Sequence, residues 1–363
     1  MPTRQEQFSG TRAVRDAHQF DVGRLQAYLR GRLPGFAGPL QVRQFKGGQS
    51  NPTYLLEAKS GSYVMRRKPP GKLLKSAHAV EREFQVISAL HRAGFPVPKP
   101  FLLCADEQVA GTVFFIMEFV AGRIFWELDL PGLEPGERAA IYDDVNATIA
   151  RLHALNYKDL GLADFGKPGN YFARQISRWS KQYVASEIEP IDAMHKLIGW
   201  LPQNIPQDES SAIVHGDYRL DNMVIHPSEP RVIAVLDWEL STIGHPLGDF
   251  SYHLMAWQMP DVGIGSAGLR GKDLAALGIP TEAAYMARYC ERSGRDGGNF
   301  DRDFYLAYNF FRIAAILQGI AGRVRDGTAA SAHAARAGKA VPALAEIGWQ
   351  FANGAGPGRA QRL

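Results

Sequence analysis

A chain of 363 residues, 45% hydrophobic and 21% charged, carries enough apolar side chain for a sizeable core and is not the composition of a disordered or fibrous protein. Its formal charge of +4, spread over 41 basic and 37 acidic residues, is too slight to suggest nucleic acid as a partner, although it suits an anionic small ligand. Two distant cysteines, Cys104 and Cys290, argue against a disulfide framework and a zinc site, and no apolar run approaches the roughly 18 residues of a membrane span. No leader pattern stands near Met1, so no membrane is expected and the cytoplasm is the expected compartment.

Residues 1 to about 20 are polar and aperiodic, an arm leading to a short helix from Asp21 to Arg32. Strands follow at Gln41 to Lys46, Thr53 to Ala58 and Ser62 to Arg67, separated by the turns Gly47-Gly48 and Ser60-Gly61. Ser76 is placed to cap a helix running to Ala93, with Val80, Phe84, Ile87 and Leu90 at helical spacing. Pro96, Pro98 and Pro100 impose an extended entry into two more strands, Phe101 to Cys104 and Thr112 to Val120. Beyond Gly122 helices dominate, from Glu137 to Leu155 onward, interrupted by short strands at Ala212 to Val214, Met223 to His226 and Val232 to Leu236. The last stretches, Phe304 to Arg325 and Ala329 to Phe351, read as helices. Two domains are expected: 1–119 with five strands and a helix, and 120–363, mostly helical.

Chemistry concentrates in His215-Gly216-Asp217-Tyr218-Arg219-Leu220-Asp221-Asn222 and, after a hairpin, Asp237-Trp238-Glu239. Phosphoryl transfer asks for one carboxylate to orient a hydroxyl and take its proton, and for oxygen donors to hold Mg2+ on phosphates. Asp217 can serve as the first. Asn222 and Asp237, each at the edge of a short predicted strand, can serve as the second, because Mg2+ needs few protein oxygens when phosphate supplies the others.

His-x-Asp-(x4)-Asn followed by Asp resembles the catalytic signature of aminoglycoside phosphotransferases and choline kinases. Phe45 to Asn51, Tyr63 to Lys72, the octet at His215 and Phe311 to Gly319 resemble more closely the kinase-like domain associated with acyl-CoA dehydrogenases. The resemblance covers about Gln41 to Arg325 and implies an α+β, bilobal protein-kinase-like fold: a small lobe with a five-stranded antiparallel sheet and a helix, then a larger helical lobe. It implies transfer of the γ-phosphate of ATP, or another nucleoside triphosphate, to a small-molecule hydroxyl with Mg2+. Carried over residue by residue, Asp217 matches the catalytic base, Asn222 and Asp237 the metal ligands, His215 a loop-steadying histidine, and Asp249 a buried acid bracing that loop. Arg219 falls where protein kinases place a lysine on the transferring phosphate, and Asp221 is expected to be solvated. The adenine edge would meet the backbone of Glu118 to Val120, and Gly47, Gly48 and Ser50 would face the phosphates.

Relatives of this kind hold the α and β phosphates with a strand lysine paired to a helix glutamate, whereas the matching strand here reads Val64-Met65-Arg66. Period-2 alternation puts Arg66 on the face of Val64 and turns Arg67 away. At about 100° per residue Glu83 lies near the centre of the apolar stripe and Glu81 far round the helix, which pairs Arg66 with Glu83. Glu239 is read as a surface acid in preference to a second Mg2+ ligand. Asp164-Phe165-Gly166 precedes the catalytic loop and is a turn; Gly263-x-Gly265-x-x-Gly268 lacks the strand a dinucleotide fingerprint needs.

Residues 241 to 363 hold ten acids against thirteen Lys and Arg, which disfavours a polycationic antibiotic. The resemblance points instead to a hydroxyacyl-CoA or another anionic metabolite, with an acyl-CoA dehydrogenase as a pathway partner; Arg312, Arg323 and Arg325 read as plain surface charge in preference to substrate contacts. An aminoglycoside O-phosphotransferase and a catalytically silent pseudokinase are the alternatives.

Overall fold

The computed structural model describes residues 4–47, 51–71, 78–260, 268–297, 300–326 and 332–356. The chain divides into two compact units, the first made of Met1–Trp126, Tyr157–Phe165 and Arg219–Ser241, the second of Glu127–Asn156, Gly166–Tyr218 and Thr242–Leu363.

The first unit begins with helix α1 (Arg4–Phe8), strand β1 (Thr11–Arg12) and helix α2 (Val22–Arg32). Asp21 starts α2 as its N-cap, accepting a hydrogen bond from the Arg24 amide at 2.9 Å. Then come β2 (Gln41–Phe45), β3 (Thr53–Ala58), β4 (Gly61–Arg67), helix α3 (Val80–Arg92), β5 (Pro100–Cys104), helix α4 (Glu107–Ala110) and β6 (Phe114–Glu118). The strands form one antiparallel sheet in the order β1-β2-β3-β4-β6-β5. Alternation sends Tyr54, Leu56, Tyr63, Met65, Phe114 and Ile116 to one face, where they bury Leu25 and Leu29 of α2. Each such side chain contributes roughly 1.5–3 kcal/mol of burial. The opposite face receives α3, with Phe84 against Phe115 at 5.8 Å between ring centres. The hairpin of Met223–Ile225 and Val232–Val235 completes the unit.

The sheet has six strands where the sequence reading expects five. The extra strand is the two-residue β1, from the segment expected to be a loose arm; Thr11 pairs with Phe45 and Arg12 with Gln44. Two residues are too few for any alternation to register, so only the partner strand defines it. The expected cap Ser76 lies outside the described residues.

The second unit is built on helices Pro135–Ala154, Tyr171–Ser186, Asp192–Trp200, Pro246–Leu254, Glu282–Ser293, Arg302–Arg325 and Ala332–Ala352, with strands Ala212–Val214 and Thr242–Gly244 paired antiparallel. Its core gathers around Phe172, whose ring meets Phe304, Tyr305 and Tyr308 within 5.5 Å. Contrary to the expectation of no long apolar run, Arg302–Arg325 is long and apolar enough to cross a membrane, with a mean hydropathy of 1.2 over its best window; 78% of that window is buried inside the protein, as for a core helix.

Candidate active site

In the first unit a cavity of about 520 Å³ opens beside β4 and α3. Gly47, Arg66, Glu83, Glu118, Val120, Asn222 and Asp237 all line it. Gly48 and Ser50 fall outside the described residues. The Glu118 amide donates to the Lys99 carbonyl oxygen at 2.9 Å, which ties the end of β6 to the chain entering β5.

Arg66 is the electrostatic centre of the cavity. Its Nε lies 2.7 Å from Glu83, and its Nη2 lies 2.5 Å from Asp237 and 3.1 Å from Glu239. The β4 register determines this, since Arg67 points to the other face, where it donates to the His18 carbonyl oxygen at 2.9 Å and lies over the Phe20 and Tyr54 rings. Glu83 sits among Val80, Val86, Ile87 and Leu90 on the buried stripe of α3, while Glu81 pairs with Lys68 outside it. Burial opposes charge on Arg66, but Asp237, Glu83 and Glu239 more than offset it and the guanidinium pKa is raised. Burial also pushes the Glu83 carboxyl above its ordinary range, with Arg66 pulling the other way.

Glu239 is not the surface acid expected from sequence. It accepts from Arg66 and from Asn51 Nδ2 at 3.0 Å, and the Asn51 Oδ1 lies 3.0 Å from His78 Nδ1. Replacing Arg66 with methionine would leave Glu83, with only 1% of its side chain exposed, beside two further carboxylates and no cation. A loss of about 3–5 kcal/mol in denaturant-measured stability is expected, with Arg66→Lys recovering part of it. Equal stability of Arg66→Met and wild type would show that the ion cluster does not hold the unit together.

Asn222 ends a short 3-10 turn, Leu220–Asn222, and its carbonyl accepts from the Leu236 amide at 2.8 Å, which fixes it beside the strand leading to Asp237. Asp237 adopts φ 65° and ψ 61°, a left-handed conformation that aspartate tolerates better than most residues. Gly122 permits the approach of this hairpin, because a Cβ there would collide with the Ile225 carbonyl oxygen. Asp221, expected to be solvated, has only 8% of its side chain exposed and receives the Arg219 guanidinium at 3.0 Å. A neighbouring cation two residues away removes the cost of burying it.

The second unit holds His215, Gly216 and Asp217. The Asp249 carboxylate accepts from the His215 amide at 2.7 Å and the Gly216 amide at 2.8 Å, and His153 Nε2 lies 3.3 Å away. Burial would raise the Asp249 pKa, but these bonds and the His153 and His215 rings hold it below the usual carboxylate range. The His215 ring is buried, and its Nδ1 accepts from the Asp217 amide at 3.1 Å. The Tyr252 hydroxyl donates to Asp217 Oδ1 at 2.8 Å. Sequence reasoning missed Tyr252; its only signal is a place three residues after Asp249 on one helix, which puts both on one face. Arg312, read as surface charge in preference to a substrate contact, is instead buried: it donates to the Gly216 carbonyl oxygen at 2.7 Å and lies over Tyr252.

Asn222 and Asp237 are hard oxygen donors in one cavity with the buried cation Arg66, a donor set that fits Mg2+ carried by a polyphosphate. Among the described residues no cluster of three or more His, Cys, Asp or Glu side chains forms a site for a metal held by protein alone.

Residues 41–296 match the phosphotransferase enzyme family. The chain is 44% identical to mouse acyl-CoA dehydrogenase family member 10 over 346 residues, which is 94% of this chain but 32% of that protein, so it spans about a third of that relative's length. A Ralstonia eutropha crystal structure assigned by name to the aminoglycoside phosphotransferases is 54% identical, with a TM-score of 0.84 over 93% of this chain and 99% of the other. An aminoglycoside phosphotransferase in ternary complex with ADP and hygromycin B shares the fold at 14% identity, with a TM-score of 0.57 over 90% and 97% of the two chains. With more than half of its length matched and its α+β sheet and helices arranged as in kinase-like phosphotransferases, this chain belongs to the phosphotransferase enzyme family.

Proposed function

We propose that the chain transfers the γ-phosphate of ATP, or another nucleoside triphosphate, to a hydroxyl of a small anionic metabolite in the cytoplasm. The observation that carries this reading is the cavity in which Arg66, Asn222 and Asp237 meet Gly47 and the end of β6. Arg66, steadied by Glu83, binds phosphate oxygens; Asn222 and Asp237 would hold Mg2+, which when bound draws negative charge off those oxygens. Glu118 and Val120 offer their backbone to the base, and Arg219 offsets charge on the transferring group. Asp217 accepts the proton of the substrate hydroxyl as its oxygen bonds to the γ-phosphorus and the bond to the β-phosphate oxygen breaks, releasing the nucleoside diphosphate.

For the acceptor, a hydroxylated acyl-CoA is proposed because the relatives are named acyl-CoA dehydrogenases, and the basic balance of residues 241–363 supports an anion over an aminoglycoside. ADP release measured against hydroxyacyl-CoA and aminoglycoside panels tests both levels. Turnover with the first alone is the expected result; turnover with aminoglycosides alone would overturn the substrate class. Nucleotide binding without any turnover on either panel would favour a pseudokinase.

Tyr252 orients the base in this reading by donating its hydroxyl to Asp217 Oδ1. Tyr252→Phe is expected to lower kcat about tenfold and leave KM for ATP unchanged. An unchanged kcat and pH profile would leave Tyr252 a packing residue.

A further inference from the structure

The segment from Arg4 to Arg12 is held by the first unit at both ends. At one end the Gln5 side chain spends both polar atoms on the chain that follows β6: its Nε2 donates to the Ile124 carbonyl oxygen at 2.9 Å, and its Oε1 accepts from the Trp126 amide at 3.2 Å. At the other end the Gly10 carbonyl oxygen accepts from the Lys46 amide at 3.1 Å, and Thr11 and Arg12 join the sheet beside β2. Between these anchors Phe8 stacks on Trp126, with ring centres 4.9 Å apart and planes 28° from parallel. Gln5, Phe8, Ser9 and Gly10 line the same cavity as Arg66 and Asp237.

Gly47 lies against both members of this pair. A Cβ there would come within 3.3 Å of the Trp126 ring, tighter than ordinary van der Waals contact, and within 3.4 Å of the Phe8 carbonyl oxygen. In the nucleotide reading the base lies along Glu118 to Val120 and the phosphates at Arg66 and Gly47. A wall that touches both Gly47 and Trp126 therefore borders the path between base and phosphates, where the sugar runs.

We propose that residues 4–12 are part of the nucleotide site: a clasp, fastened by Gln5 and Phe8, that covers the sugar and first phosphate and slows nucleotide escape. The inference rests on the nucleotide reading above. An aromatic pair gives a rigid cover at little conformational cost, and a two-bond carboxamide contact to backbone fixes its position without itself touching ligand. Closed over bound nucleotide, the clasp adds contacts that must break before release, so its loss acts on koff more than on kon.

The test is stopped-flow binding of a fluorescent ADP analogue with Mg2+ to the full chain, compared with Gln5→Ala and Phe8→Ala. Each variant is expected to raise koff about tenfold with kon within about threefold, and Phe8→Tyr to restore slow release. The ligand-free melting temperature is read alongside, because a merely structural role would lower it without a selective change in koff. If wild type binds the analogue and both variants release it at the wild-type rate, the clasp is overturned and the nucleotide reading stands. If wild type binds no nucleotide at all, both fall together.

Discussion

Asp217→Asn is expected to lower kcat for phosphate transfer by about 10²- to 10⁴-fold, the range that a positioned general base supplies. The substitution keeps the shape of the side chain and an oxygen able to accept the Tyr252 hydroxyl, so the local hydrogen bond at 2.8 Å need not be lost. What disappears is the capacity to hold a proton as the hydroxyl oxygen bonds to phosphorus. Because Asp217 is not among the residues lining the cavity around Arg66 and Asp237, affinity for Mg·ADP should change by no more than about twofold. Single-turnover kinetics beside calorimetric ADP binding separates the two quantities. A variant with wild-type turnover would remove Asp217 as the base, and one that lost ADP binding would move it into the nucleotide site.

The second large effect is expected at Asp237. Asp237→Asn should weaken Mg·ADP binding on the order of 100-fold while leaving ADP binding in excess EDTA nearly unchanged, since a neutral amide is a poorer partner for a divalent cation. Asparagine is the informative replacement because the residue adopts φ 65°, which asparagine accepts readily; alanine there adds backbone strain of about 1 kcal/mol and confuses loss of charge with loss of shape. The same change removes the 2.5 Å counter-ion of Arg66, so the variant's stability is measured in parallel. Equal affinity with and without Mg2+ in wild type would deny the metal role outright.

What sequence could convey differed from residue to residue for physical reasons. The pairing of Arg66 with Glu83 was open to two periodicities, 2.0 on a strand and 3.6 on a helix, because both residues belong to regular elements whose faces are dictated locally. Most element positions followed from the same patterning, and the kinase-like fold from the resemblance of the motifs. Contacts between residues remote in sequence left no such trace. The bond between Asn51 and Glu239 spans 188 positions, and nothing periodic near Glu239 separates a solvated acid from one drawn to a buried guanidinium. Arg312 was weighed only as a substrate contact or as surface charge because arginine is mostly exposed; a carbonyl oxygen and an aromatic face offset the cost of burying it. Asp221 was misread for the same reason, its partner Arg219 being assigned elsewhere.

The interleaving of the two compact units has a consequence for anyone dissecting the protein. Arg219–Ser241 belongs with Met1–Trp126, so a gene fragment stopping at residue 126 would encode the six-stranded sheet without Asn222 or Asp237 and with an arginine stripped of two of its three acidic neighbours. Such a piece would be poor material for titrating nucleotide. A single polypeptide that joins Met1–Trp126, Tyr157–Phe165 and Arg219–Ser241 through flexible spacers is the version in which that half of the chemistry can be studied by itself.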